Sequence, residues 1–122
     1  METEVDLLQF FEATDSAETY TAGATIFQVG EEGRMTYVVR SGEVDLVLEE
    51  TVLATVGEGE IFGELALIDQ DERSATAKAR TDCEVIPIDE SKFLYMVHHT
   101  PYFSLDLLRI ISGRLRAMNR LL

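Results

Sequence analysis

The sequence predicts a mainly β fold, an antiparallel β-roll of jelly-roll type with short helices at both ends, and three observations predict it. From about residue 17 to 88, short segments rich in β-branched and aromatic residues recur with glycine punctuation between them. From residue 89 the apolar positions change to a helical period. The 122 residues are 46% hydrophobic and 27% charged, which suits one domain with a buried core rather than a disordered chain.

Taken in order, VDLLQFF near the N-terminus reads as a short amphipathic helix within residues 1–16. ATIFQV (24–29) is a strand ended by Gly30, with EEG as a loop. MTYVVR (35–40) meets Ser41-Gly42 and EVDLVLEE (43–50) follows, which predicts a hairpin through a glycine turn. Val44, Leu46 and Leu48 alternate with Asp45, Val47 and Glu49, so one face of that strand turns inward. TVLATV (51–56) is the next strand and GEGE (57–60) a turn. ELALIDQ, between the strand signals GEI and SATAKA, has the composition of one or two helical turns. SATAKAR (74–80) places Ala75, Ala77 and Ala79 on one side, and CEVIPI (83–88) is the last strand.

DESKFLYMVHH (89–99) is a helix that Asp89 or Ser91 can cap, and Pro101 opens a final helix. In that helix Leu108, Ile111, Leu115, Met118 and Leu122 fall at spacings of 3, 4, 3 and 4. Such a seam suits packing on the chain's own β-domain and contact with a second copy alike. The expected layout is a single domain over 1–122, with N-terminal helix 1–16, β-roll 17–88 and C-terminal helices 89–122.

Asp and Glu number 23 against 10 Lys and Arg, a formal charge of −13. A surface this acidic repels nucleic acid and anionic lipid, so neither DNA, RNA nor a membrane is an expected partner of this chain alone. No apolar run approaches the roughly 18 residues of a membrane span, and METEVDLLQFFEA lacks a basic leader region. The one cysteine, Cys83, has no internal partner, and the expected compartment is the cytoplasm. No His, Cys or carboxylate cluster has metal spacing; His98 and His99 are adjacent and diverge on a helix. Glu58, Glu60 and Glu64 face no fixed second acid or nucleophile, so the chain reads as a binder and not an enzyme, with no cofactor.

In GELALIDQDERSAT (63–76), Arg73 is a lone cation among carboxylates. Gly63 allows close backbone approach, and the N–H groups that open the following short helix favour an anion. A guanidinium closing over the same spot offers a fork suited to phosphate, and Glu64 suits a sugar hydroxyl. One cation, backbone donors and one carboxylate describe a nucleotide carrying few charges.

The stretch resembles the phosphate-binding cassette of the cyclic nucleotide-binding domain family. Gly63, Glu64, Leu65, Ala66 and Leu67 match the start of that cassette, and Arg73, Ser74, Ala75 and Thr76 match its end. FQVGEEG, YVVRSGEV and VGEGEIFGE follow the family's glycine punctuation, so the likeness covers nearly the whole chain. It implies that Arg73 ion-pairs with a 3′,5′-cyclic phosphate and that Glu64 accepts from the ribose 2′-OH. Phe62, Gly63, Leu65, Ala66 and Ala75 would frame the phosphate, with the Ser74 hydroxyl.

It also implies that the last helix contributes to the base end, through Met118 and Asn119, with a solvated helix end as the equal alternative for both. Cyclic-GMP-selective members tend to carry Thr after the cassette arginine, so Ser74 points to cyclic AMP over cyclic GMP. The implied function is a signal sensor whose C-terminal helices respond to the nucleotide and meet a partner protein, or a second copy, through residues 101–122. Two alternatives are an interaction module with an unused pocket, and the sensory part of a transcription regulator whose DNA-binding domain lies outside this chain.

Overall fold

The computed structural model describes residues 6–120. A 3-10 turn at Leu7–Phe10 leads into five strands, β1 (Glu18–Tyr20), β2 (Thr25–Phe27), β3 (Met35–Ser41), β4 (Val44–Leu48) and β5 (Thr51–Val56). Strand β6 (Ile61–Phe62), helix α1 (Glu64–Asp69), β7 (Thr76–Ala79) and β8 (Cys83–Asp89) follow, then α2 (Glu90–His99) and α3 (Pro101–Asn119). The strands form two four-stranded sheets ordered β1-β8-β3-β6 and β2-β7-β4-β5. Each pairing is antiparallel, as the β-roll expectation requires.

Strand β3 is buried on both faces, so MTYVVR runs apolar without alternation. Tyr37 and Val39 point between the sheets, where Phe27, Tyr37 and Phe62 pack with ring centroids 5.2 to 6.2 Å apart. Val38 points the other way, into a second core with Leu7, Ile61, Ile88, Phe93, Phe103, Leu107 and Ile110. That second core fixes α2 and α3 to the roll. Asp89 caps α2 by accepting from the Lys92 N–H at 2.8 Å, and Pro101 occupies the first turn of α3.

Two expectations are corrected. Ser41-Gly42 is not a hairpin turn: β3 pairs with β6 and β8, whereas β4 pairs with β5 and β7. Gly42 is instead a corner between sheets, at φ 81°, where an added Cβ would stand 2.3 Å from the Asp82 carbonyl oxygen. The true hairpin joins β4 to β5 through Glu49 and Glu50, at φ 50° and 69°, a left-handed pair that matches the strand twist without any glycine. Near the N-terminus, VDLLQFF supplies a 3-10 turn rather than an α-helix. Asp6 caps it through the Leu8 N–H at 2.9 Å, and residues 1–5 lie outside the described part.

The seam on α3 is also resolved. The residues it buries in the core are Phe103, Leu107 and Ile110. Leu108 and Leu115, from the heptad spacing, are 61% and 58% exposed, and Leu122 lies outside the described residues. Ile111, from the same seam, packs against the second core, so the seam is divided between the chain's own core and an exposed edge at Leu108 and Leu115.

Candidate functional site

A cavity of about 330 Å³ opens between the roll, α1 and α3, within the size range of small-ligand pockets. Phe27, Leu46 and Leu53 line it from the β2-β7-β4-β5 sheet. Gly63, Glu64, Leu65 and Ala66 approach from the start of α1, and Arg73, Ser74 and Ala75 from the entry to β7. Ile111, Arg114, Leu115 and Met118 complete it from α3. Seven of the nine sequence-level candidates thus share one wall: Gly63, Glu64, Leu65, Ala66, Arg73, Ser74 and Ala75.

The other two do not line it. Phe62 is fully buried behind the wall in the aromatic core, its carbonyl accepting from Thr36 Oγ1 at 2.8 Å. Asn119 ends α3 exposed to solvent, and Met118 stands on the wall instead.

Arg73 is only 6% exposed, and its position is over-determined. Nη1 donates to the Gly63 carbonyl at 2.9 Å and Nη2 to the Met35 carbonyl at 2.6 Å, while Cζ sits 3.9 Å over the Phe27 ring. These contacts leave Nε–H and one hydrogen on each terminal nitrogen, and Nε finds no partner among the described residues. No carboxylate forms an ion pair with Arg73 among them either. Burial lowers its pKa, with Tyr37, Glu31 and Glu64 opposing, but a guanidinium stays charged. The result is a buried cation held by neutral carbonyls, which calls for an anion.

Glycines make this possible. Gly63 caps α1 at φ 79°, a left-handed conformation, and a Cβ there would stand 2.8 Å from Arg73 Nη1. Gly33, from the loop before β3, leaves still less room: a Cβ would come within 2.4 Å of Ala66 Cβ and 2.9 Å of Arg73 Nε.

Glu64 is 3% exposed and Oε1 accepts from Arg114 Nη1 at 3.0 Å. Burial raises its pKa above the ordinary glutamate value, and the Arg114 charge partly offsets that rise. Arg114 also donates to the Ile61 carbonyl, so one side chain ties α3 to both β6 and the cassette. Arg114 was not singled out from sequence. Its signal lies in register: Phe103, Leu107, Ile110 and Arg114 continue one stripe at spacings of 4, 3 and 4, so an arginine occupies a core-facing position.

The arrangement can neutralise one negative charge at Arg73 and offer the carboxylate of Glu64 to a hydroxyl beside it. Among the described residues no group of three metal-ligating side chains is assembled, and no helix is long and apolar enough to cross a membrane.

A family model described as the cyclic nucleotide-binding domain matches residues 17–100. The cyclic AMP receptor protein of Thermus thermophilus is 36% identical over 119 residues, covering 93% of this chain and 53% of that protein. The chain thus spans about half the length of that curated relative. The structure of CLP from Xanthomonas campestris, described as a c-di-GMP-responsive global regulator, superposes with a TM-score of 0.79 at 27% identity, covering 88% of this chain and 57% of that one. A structure described as PKAR CBD2 bound to Sp-2Cl-cAMPS gives 0.74 at 26% identity, covering 94% and 82%.

Proposed function

This chain belongs to the cyclic nucleotide-binding domain family, and on that premise we propose that it senses a 3′,5′-cyclic purine nucleotide, with cyclic AMP favoured over cyclic GMP. The observation that carries the reading is Arg73, a buried cation without a carboxylate partner among the described residues, facing the cavity beside the Gly63-capped start of α1.

A cyclic phosphodiester carries one negative charge, the amount one guanidinium compensates. Nε–H and the remaining Nη hydrogens of Arg73 meet the exocyclic oxygens, with backbone N–H groups of the cassette and the Ser74 hydroxyl. Glu64 accepts from the ribose 2′-OH through the oxygen that Arg114 does not use. A 5′-monophosphate brings a second charge into the same place with nothing to balance it. Ser74 in place of threonine supports adenine over guanine, as does the printed name of the cyclic AMP receptor protein at 36% identity.

The chain acts as a binding module, not a catalyst. The signal leaves the site through Arg114, which touches Glu64 and belongs to α3. Ligand affinity must differ between two placements of α3 for this to work. The exposed seam residues Leu108 and Leu115 then meet a partner protein or a second copy.

Calorimetric titration with cyclic AMP, cyclic GMP, 2′-deoxy cyclic AMP and 5′-AMP tests the proposal. Micromolar or tighter binding of cyclic AMP, weaker binding of cyclic GMP and the deoxy analogue, and no heat from 5′-AMP are expected. Equal binding of 5′-AMP would overturn it.

A further inference from the structure

Resting on the reading that α3 passes the signal to a partner, we propose that the outer face of α3 docks an acidic amphipathic helix of another protein, and not a second copy of this chain. Charge is unevenly distributed along the sequence. Residues 109–122 hold Arg109, Arg114, Arg116 and Arg120 and no carboxylate; they contribute +4, so residues 1–108 carry −17 of a total of −13. Arg114 is spent inside the molecule on Glu64. Arg109, Arg116 and Arg120 are exposed, and their spacings of 7 and 4 put them on one line of the helix. Beside that line run the exposed Leu105, Leu108 and Leu115, at spacings of 3 and 7. Phe103, Leu107 and Ile110 anchor the opposite side of α3 in the core. The outward surface is therefore an apolar stripe with a cationic border on its solvent side, while Ile111 and Met118 form the border that turns to the roll.

Charge complementarity selects the occupant. A helix with its own apolar stripe and carboxylates seven residues apart sets those carboxylates against Arg109 and Arg116, two turns apart on α3. Arg109 already meets Asp106 at 3.3 Å, but its side chain is 59% exposed, and a surface pair of that kind is weak enough to be exchanged. A second copy of α3 serves this face badly. Laid antiparallel along the leucines, it sets arginine on arginine. Laid parallel, it sets Arg109 and Arg116 against Ile111 and Met118, which offer no charge. Either arrangement also brings together two bodies of −13 each. The body repels a separate acidic helix as well, but at physiological salt that field is screened beyond about 8 Å, whereas the arginines act at contact.

The test is fluorescence anisotropy of the full chain with two labelled synthetic helices of about four heptads, both with leucine at the core positions and with only glutamate or only lysine beside them. The glutamate helix should bind and the lysine helix should not. Arg109→Glu combined with Arg116→Glu should weaken the glutamate helix at least about tenfold and admit the lysine helix, because two attractions become two repulsions. Leu108→Asp should remove binding of the glutamate helix. Leu108, Arg109 and Arg116 lie off the cavity wall, so cyclic AMP binding measured on the same variants stands or falls separately from this docking. Equal binding of both helices, or an unchanged affinity for the glutamate helix after the double reversal, overturns the proposal. So does binding of neither helix, whether or not sedimentation velocity shows the chain paired through Leu108.

Discussion

Arg73 and Glu64 are both buried charges, yet their environments give them different behaviour. Arg73 is braced by two carbonyls and an aromatic face, so its charge is positioned before any anion arrives. With two charge-assisted bonds at roughly 1.5–3 kcal/mol each, Arg73→Ala should lower cyclic AMP affinity at least about a hundredfold. The same change strands the Gly63 and Met35 carbonyls, so calorimetry should be read on protein shown to be folded by circular dichroism. Arg73→Lys keeps a charge but loses the fork, and should recover only part of the affinity.

Glu64 carries a raised pKa because burial disfavours its ionised form. The folded protein therefore binds a proton at a pH where the unfolded chain does not. The cost of keeping Glu64 ionised is present above its folded-state pKa and is relieved as pH falls through it. Under the proposed function ribose recognition has the opposite stake, since a 2′-OH would donate to the carboxylate. Cyclic AMP affinity should decline as pH falls from neutral towards the carboxylate range, and Glu64→Gln should bind more weakly with a flatter profile. A parallel slope in the Gln variant would refute Glu64 as the titrating group.

Among the elements, α3 does two jobs with two stripes. Phe103, Leu107 and Ile110 anchor it to the second core, and Arg114 extends that stripe to the cassette. Breaking a buried ion pair from one side leaves the other charge uncompensated, a loss of roughly 3–5 kcal/mol. Arg114→Met should therefore lower the urea midpoint strongly, and adding Glu64→Gln should recover most of the loss. A double variant as unstable as Arg114→Met alone would show that packing, not charge, dominates there. In the second stripe, Leu108 and Leu115 are exposed, while Ile111 packs against the second core and Met118 lines the cavity. The β elements carry a related lesson at Gly42 and at Glu49-Glu50. A glycine turn invites a hairpin reading, but the chain uses that freedom to change sheets, and the hairpin twist is met by two acidic residues instead.

For the whole molecule, ligand and fold are linked, because the cavity draws its walls from the β2-β7-β4-β5 sheet, α1, the entry to β7 and α3. A nucleotide at a hundred times its dissociation constant should stabilise the protein by about 2.7 kcal/mol, raising the thermal midpoint by roughly 10 °C. Scanning fluorimetry with cyclic AMP and 5′-AMP reads this directly, the latter giving no shift. Association through α3 is open to an equally plain check. Leu108 is 61% exposed and off the cavity wall, so Leu108→Asp should abolish any dimer in sedimentation velocity without reducing the thermal midpoint.

Strand segments, the alternation of β7, the cap at Asp89, the helix opened by Pro101 and the cassette with Glu64 and Arg73 were legible along the chain, because each depends on residues close in sequence. Seven of nine candidate residues came together for the same reason: they sit within 63–75. Tertiary structure alone decided which strands pair, that Arg73 is held by the distant Met35 carbonyl, and that Gly33 makes way for it. It alone set Arg114 against Glu64, 50 positions away, and Met118 rather than Asn119 on the wall. Local periodicity specifies which face of an element is apolar; what that face meets depends on how the two sheets and α3 close on one another, and that is fixed by burial summed over the whole core.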